Sequence, residues 1–280
     1  MSWVILGGGG FFAGHLRDAL FGAEVRSLPR AECDVTRPAQ LADAVADAEV
    51  VVNCAGFTAV DRAEAEPSEA HRVNVDGAAN VAHAAARAGA LCVHLSTDFV
   101  FDGCGAPYSG DARPAPLSVY GRTKRMGELA ALGAGGRLLI ARVQALYAAG
   151  GRGFASRIAE LLLGDAPLRL DDERRVQPTW APIAASQLVV LAGSGATGLY
   201  HLSCAGGTTW AGFGRALAAR LGVEPRFEAV PTAALSSVAR RPADTRFDHS
   251  ALVDRGIPVP TWEEGLDGYV ATLRAAEGRR

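Results

Sequence analysis

The sequence predicts an α/β fold, a doubly wound parallel sheet with a smaller C-terminal lobe. Short apolar runs alternate with helical patterns through the first half, a glycine run follows the first of them, and prolines break up the second half. The runs are "WVIL" at residues 3–6, "VVVN" at 50–53, "LCVHLS" at 91–96 and "RLLIARV" at 137–143. Each is brief, continuous and rich in Val, Ile and Leu, the pattern of strands buried on both faces. Helical segments lie between them, such as 68–88, "SEAHRVNVDGAANVAHAAARA", opened by a serine after Pro67. Strands and helices in this order imply right-handed βαβ units and a sheet covered on both sides.

After about Tyr147 the pattern loosens. Pro167, Pro178, Pro182, Pro225, Pro231, Pro242, Pro258 and Pro260 punctuate shorter elements, with helices expected at 154–163 and 209–221. The expected organisation is a first domain at 1–147 and a smaller lobe at 148–280, folded over the strand ends of the first and packing back on it in places.

Composition narrows the class. At 280 residues a chain buries about three-quarters of its unfolded surface, so no staple is needed. A hydrophobic content of 49% with 21% charged residues suits a soluble globular enzyme. A formal charge of −2 supplies no basic field for nucleic acid. Cys33, Cys54, Cys92, Cys104 and Cys204 are scattered and lack C-x-x-C spacing, as expected of reduced thiols in a cytoplasmic protein. "MSWVILGGGG" has no basic n-region, and no apolar run approaches a membrane span. The expectation is a cytoplasmic protein with no membrane partner.

The glycine run, "GGGGFFAGHL", follows a strand and opens a helix. Glycines there let the backbone approach a pyrophosphate, to which the helix N-terminus presents free N–H groups. The spacing is Gly7-x-x-Gly10-x-x-Ala13, wider than G-x-G-x-x-G, and a glycine run alone is equally a loop. Near the end of the second strand, "EVRSLPR" offers no carboxylate; Pro29 stands where an acid is often found, followed by Arg30. An acid would bind the ribose 2′-OH, whereas arginine welcomes a 2′-phosphate, so NADPH is the expected cofactor, with NADH possible. Arg26 and Arg30 are otherwise solvated surface charges. Asp34 suits an adenine amine, and equally a helix cap.

Of 28 lysines and arginines only Lys124 is a lysine, four residues after Tyr120 in "VYGRTKRMGE". On a helix the two share a face. A nearby ammonium lowers the pKa of a phenol that otherwise titrates near 10. It also reaches ribose hydroxyls as a compact donor, a role the bulkier guanidinium does not fill. "HLSTDFVFDG" places Thr97 where a strand ends. Thr97 is expected to hydrogen-bond a substrate carbonyl while Tyr120 donates the proton and a nicotinamide the hydride. Taken alone, a threonine closing a strand is structural.

Together these pieces resemble the extended short-chain dehydrogenases with a Rossmann-type domain, and within them the dTDP-4-dehydrorhamnose reductases. "VVNCAGFTAVDRAEAEPSEAHRVN", "STDFVFDG" and "PLSVYGRTKRMGE" resemble family blocks, as do "RRVQPTWA", "GLYHLSCAGGTTW", "RRPADTRFD" and "PTWEEGL" later on. The resemblance implies Tyr120 as proton donor with Lys124 and Thr97 as partners. It implies Gly7, Gly10, Phe11 and Phe12 at the pyrophosphate, Asp34 and Val35 at the adenine, and Cys54, Ala55, Gly56 and Thr58 at the nicotinamide side. It further implies NADPH-dependent reduction of the 4-keto group of a nucleotide-linked 6-deoxyhexose, a dTDP sugar above others.

The sequence departs from the family in places. Ala145 in "RVQALY" replaces a tryptophan expected to stack near the sugar, Gln144 adds a polar side chain, and "GGRGF" at 150–154 lacks the usual asparagines. His15 stands where some members carry a metal-bridging acid, so neither that metal nor that dimer is expected; a monomer or weak homodimer is. Arg174, Arg175, Arg241 and Arg246 are candidates for a diphosphate, though ion pairs account for most such arginines. Trp210 and Trp262 are expected to pack the lobe, and His94 and His201 to be satisfied structural residues. A dehydratase or epimerase on the same scaffold is the alternative, but Phe99 stands where resembling dehydratases carry glutamate. A non-catalytic regulatory subunit is disfavoured by the intact Thr97, Tyr120 and Lys124.

Overall fold

Fully apolar runs have nowhere to go but between two layers of helix, and that is where they lie. The computed structural model describes residues 1–151, 153–164 and 168–277, omitting the side chains of Ala155 and Glu277. Pro167 and the Arg152 of the 150–154 stretch lie outside the described residues. The first half runs β1 (Ser2–Leu6), α1 (Phe11–Ala19), β2 (Glu24–Leu28), α2 (Pro38–Val45), β3 (Val50–Asn53), α3 (Val60–Ala65), α4 (Pro67–His71), α5 (Gly77–Arg87), β4 (Leu91–Thr97), α6 (Val119–Gly133) and β5 (Arg137–Val143). The second half continues with β6 (Leu146–Tyr147), α7 (Phe154–Leu162), β7 (Arg169–Asp171), β8 (Thr179–Trp180), α8 (Ala181–Gly193), β9 (Gly198–Leu202), α9 (Trp210–Leu221), β10 (Glu228–Val230), α10 (Ser250–Val253) and α11 (Trp262–Glu277).

Among the described residues, six strands form the main sheet in the order β2-β1-β3-β4-β5-β9, every pair parallel. Alternate residues serve opposite faces. Trp3, Ile5, Val50, Val52, Val93 and Leu139 pack with α1 and α8, while Val4, Leu6, Val51, Cys92 and Leu138 pack with α2 and α5. The strand order reverses between β1 and β3, the place where open α/β sheets leave a crevice at their carboxyl ends.

A division at Tyr147 separates the chain in sequence more cleanly than in space. β9 pairs with β5 at the far sheet edge, and α8 covers the face that α1 covers. A further core joins α7, α9 and α11 around the fully buried Tyr147, whose ring meets Phe213 and Tyr269 edge-on. Trp262 is buried in that core and Trp210 lies at its margin.

The segment expected as one helix over 68–88 is three pieces. Pro67 opens α4, a π-helical turn follows at Arg72–Asp76, and α5 completes the run. Such a bulge marks functional sites more often than chance. Here it carries Asn74, which accepts from the Phe57 N–H at 2.8 Å and donates to Thr123 on α6 at 3.0 Å.

α6 is anchored to the sheet by a buried ion group. Arg142 of β5 grips Glu128 through two bonds of 2.8 Å, Ser96 of β4 donates to the same carboxylate at 2.5 Å, and Arg125 adds a fourth bond at 2.8 Å. Glu128 and Arg142 are 0% and 1% exposed. Burial alone would raise the Glu128 carboxyl, but Arg142 and Ser96 bring it down to about 2. A folded-state pKa below the unfolded value gives stability that is present above the ordinary value near 4.5 and lost as pH falls toward about 2. Glu128→Ala strands Arg142 without a partner and is expected to cost about 3–5 kcal/mol in urea unfolding at neutral pH. The difference between variant and parent should shrink as the pH is lowered through that window.

Candidate active site

β1 ends at Leu6 and the chain turns at once into α1, so the turn must be tight. Gly7 has φ +75°, and a Cβ there would lie 2.6 Å from the Ala55 nitrogen. No other residue type fits. Gly10 caps α1 with no side-chain bond, leaving the first N–H groups directed outward. The turn opens on a cleft of about 550 Å³. Gly7, Gly10, Arg30, Asp34, Val35, Cys54, Ala55, Gly56 and Thr58, all expected at a cofactor, line it together.

Phe11 and Phe12 are placed differently. The Phe12 ring is in the core, and Phe11 packs edge-on against His15 at 5.1 Å. What these two offer a ligand is their backbone N–H at the head of α1. Arg30 is paired within the protein. Its Nε donates to Asp34 at 3.1 Å, and its guanidinium lies 4.0 Å from Glu69. Asp34 in turn accepts from both the N–H and hydroxyl of Thr36. Burial pushes the Asp34 carboxyl up, but the bonds from Thr36 and Arg30 leave it below its usual range. Arg62 and Glu69 line the same cleft and escaped sequence reasoning, since each reads as an ordinary surface charge.

Thr97 ends β4, and Tyr120 and Lys124 are one turn apart on α6. Ser118 caps α6 by accepting from the Gly121 N–H at 3.1 Å. A Cβ on Gly121 would lie 2.2 Å from the Phe99 carbonyl oxygen, so only glycine lets the helix come this close to the end of β4. The approach brings Tyr120 near Thr97 and Asp98 at the end of β4. The Tyr120 ring packs among Phe57, which lines the first cleft, and meets Phe99, which lines a second, at 5.5 Å and 70°.

Lys124 corrects the expectation that its charge lowers the Tyr120 pKa. Its Nζ donates to the Leu95 carbonyl at 2.6 Å and sits beside Gly56, toward the first cleft. The phenol, buried and close to Asp98, is pushed up to about 12. Burial lowers the ammonium to about 8. In the protein by itself desolvation outweighs pairing, and the lysine head is bonded to the Leu95 carbonyl rather than to the phenol.

Thr97 is engaged within the protein itself. Its hydroxyl donates to Asp98 Oδ1 at 3.0 Å, and its oxygen accepts the Phe99 N–H at 3.3 Å. Asp98, Gln144 and Thr245 form a buried polar group that sequence reasoning missed. The three lie far apart in the chain.

The second cleft, of about 390 Å³, is lined by Asp98, Phe99, Ala145, Phe154, Trp210 and Arg241 among others. Ala145 has φ +44°, an uncommon conformation for an alanine, at the junction of β5 and β6. Phe154 and Trp210 meet edge-on at 5.3 Å. Of the four arginines considered for a diphosphate, Arg174 and Arg241 reach this cleft. Arg174 is paired with Asp171 at 2.6 Å and Arg241 with Asp61 at 2.7 Å. Arg246 is paired with Asp244, and Arg175 is exposed. His94 and His201, expected to be satisfied, each bury a ring nitrogen that has no partner among the described residues. Burial lowers both to about 3, so the rings are neutral.

The family described as "RmlD substrate binding domain" matches residues 1–275. A dTDP-4-dehydrorhamnose reductase of Streptomyces griseus is 36% identical, over 99% of this chain and 95% of its own. A dTDP-4-keto-6-deoxy-D-glucose reductase of Streptomyces niveus is 33% identical, over 98% of each. The crystal structure of dTDP-4-dehydrorhamnose reductase from Bacillus anthracis, in complex with NADP, superposes with a TM-score of 0.93 at 27% identity, over 97% of this chain and 100% of that one. With a family match over nearly its whole length and relatives above 30% identity end to end, the chain belongs to the dTDP-4-dehydrorhamnose reductase family.

Proposed function

We propose that the chain reduces the 4-keto group of a dTDP-linked 4-keto-6-deoxyhexose with NADPH, Tyr120 acting as proton donor. The observation that carries this reading is the position of Tyr120. Its ring packs on Phe57, which lines the first cleft, and on Phe99, which lines the second, while Lys124 Nζ sits beside Gly56 of the first. The names of the relatives and the NADP held by the Bacillus anthracis enzyme support it.

The residues of the first cleft fit a dinucleotide. Gly7 admits no side chain between the turn and Ala55, the uncapped head of α1 suits a pyrophosphate, and Arg30, which lines the same cleft, suits a 2′-phosphate. Bound there, NADPH supplies the hydride for the carbonyl carbon. Lys124 is placed to hold the nicotinamide ribose, and Tyr120 to give its proton to the oxygen that gains charge. In the second cleft Phe154 and Trp210 offer an aromatic wall, Arg174 and Arg241 offer charge to a diphosphate, and Ala145 leaves room beside the sugar.

Incubation with dTDP-4-keto-6-deoxyglucose, alone and with a sugar epimerase, should consume NADPH. If every such sugar is inert while cofactor binds, the reading is wrong. Tyr120→Phe should lower kcat by about 10²–10⁴-fold with NADPH affinity unchanged. Arg30→Ala should raise KM for NADPH about tenfold or more and leave that for NADH nearly unmoved, measured at low salt. Ala145→Trp narrows the second cleft and should raise KM for the preferred sugar nucleotide with little effect on cofactor binding.

A further inference from the structure

Asp98 is a carboxyl almost sealed from water next to the reacting group, and the reduction as described gives it no task. It is 5% exposed. Its two oxygens are held differently. Oδ2 accepts from Thr245 Oγ1 at 2.7 Å and from Gln144 Nε2 at 3.2 Å. Oδ1 faces Thr97 Oγ1 at 3.0 Å, and both Thr97 and Asp98 lie near enough to Tyr120 to act on its phenol. Gln144 cannot turn away, because its Nε2 also reaches the Thr245 carbonyl at 2.5 Å and its Oε1 accepts the Gln177 N–H at 2.5 Å. Asp98 Oδ1 and Thr97 Oγ1 are thus bonded to each other beside Tyr120, the order a row from Asp98 through Thr97 to the phenol needs.

Such a row has a direction, because each hydroxyl carries one proton. With Asp98 ionised, Thr97 must point its proton at Oδ1, and the proton of Tyr120 falls to the Thr97 oxygen, away from a substrate. With Asp98 as the neutral acid the row reverses. Asp98 donates to Thr97, Thr97 donates to Tyr120, and the phenol is free to aim its proton at a ketone. The two donors on Oδ2 leave Oδ1, the oxygen facing Thr97, as the one that takes the proton.

We propose that Asp98 is the proton reservoir of the reduction, handing its proton through Thr97 to Tyr120 as Tyr120 protonates the ketone oxygen. The inference rests on the reading of Tyr120 as proton donor. As hydride adds to the carbonyl carbon, the π pair moves onto oxygen, which takes the Tyr120 proton. The Tyr120 oxygen takes the proton of Thr97, and Thr97 takes the one on Asp98 Oδ1. Asp98 is left as a carboxylate and regains a proton from solvent before the next turnover. Ketone, hydride and one proton become the alcohol.

The electrostatics agree with the geometry. Burial raises the Asp98 carboxyl to about 6, against the bonds from Thr245, Thr97 and Gln144 that favour its charge. Of the ionisable groups that face it, Tyr120 comes from α6, and Arg169, Asp171, Arg174 and Arg241 line the second cleft with it. Arg169, Arg174 and Arg241 are each paired with a carboxylate, of Glu228, Asp171 and Asp61 respectively.

The test is kcat against pH at saturating NADPH and sugar nucleotide, from about pH 5 to about 9. The parent enzyme should lose rate as pH rises through the Asp98 pKa. Asp98→Asn keeps the size and a donor but no transferable proton, so kcat should fall by about 10²-fold and that limb should vanish. Thr245→Val removes a bond that favours the carboxylate, so the limb should move to higher pH. An Asn variant with the parental rate and limb, or a Val variant whose limb does not move, overturns the proposal. Tyr120→Phe separates the two levels. Full activity there overturns the reading of Tyr120 itself, whereas its loss beside an unchanged Asp98→Asn profile overturns the role of Asp98 alone.

Discussion

The contact on which the site depends is the buried grip of Arg142 on Glu128. It joins α6 to β5, and Ser96 ties the same carboxylate to β4. A lone buried charge is expensive, so each partner demands the other, and the geometry that satisfies both allows α6 little freedom. Glu128 lies one turn beyond Lys124 and two beyond Tyr120 on the same helix. Whatever fixes its rotation fixes theirs.

That anchoring lets the sheet and helix bury reactive groups that water would otherwise level. Tyr120 is held near 12, Lys124 near 8 and Asp98 near 6, each moved from its ordinary value chiefly by burial. The three shifts have one cause and opposite signs, because burial favours whichever form is neutral. A phenol that resists ionising, an ammonium that releases its proton more readily and a carboxyl that keeps its own longer together suit a site through which one proton passes. The π turn adds to the same end, since Asn74 ties the loop at Phe57 to α6 at Thr123.

The second half of the chain does two jobs. Its β9 joins the first sheet and α8 covers one of its faces, and other elements form a further core and line the second cleft. The segment after β5 joins these jobs within two residues. Gln144 turns inward to Asp98 and Thr245, and Ala145, at positive φ, faces the second cleft. The residue that bonds the buried Asp98 carboxyl and the one that lines the second cleft are thus neighbours.

The parallel sheet, the glycine turn and the pairing of Tyr120 with Lys124 on one helix were legible in the sequence. Each rests on local rules, namely strand-length apolar runs, a turn where only glycine fits, and the period of a helix. The order of β9 in the sheet, the break in the helix over 67–87, the carboxylates that occupy Arg30, Arg174 and Arg241, and the direction in which Lys124 and Thr97 spend their protons were not. Those depend on which groups, distant in sequence, are brought within about 3 Å of one another, and on how much water is removed when they meet. Residue type by itself determined what chemistry the chain could host; the tertiary structure decided which proton lies next to which oxygen.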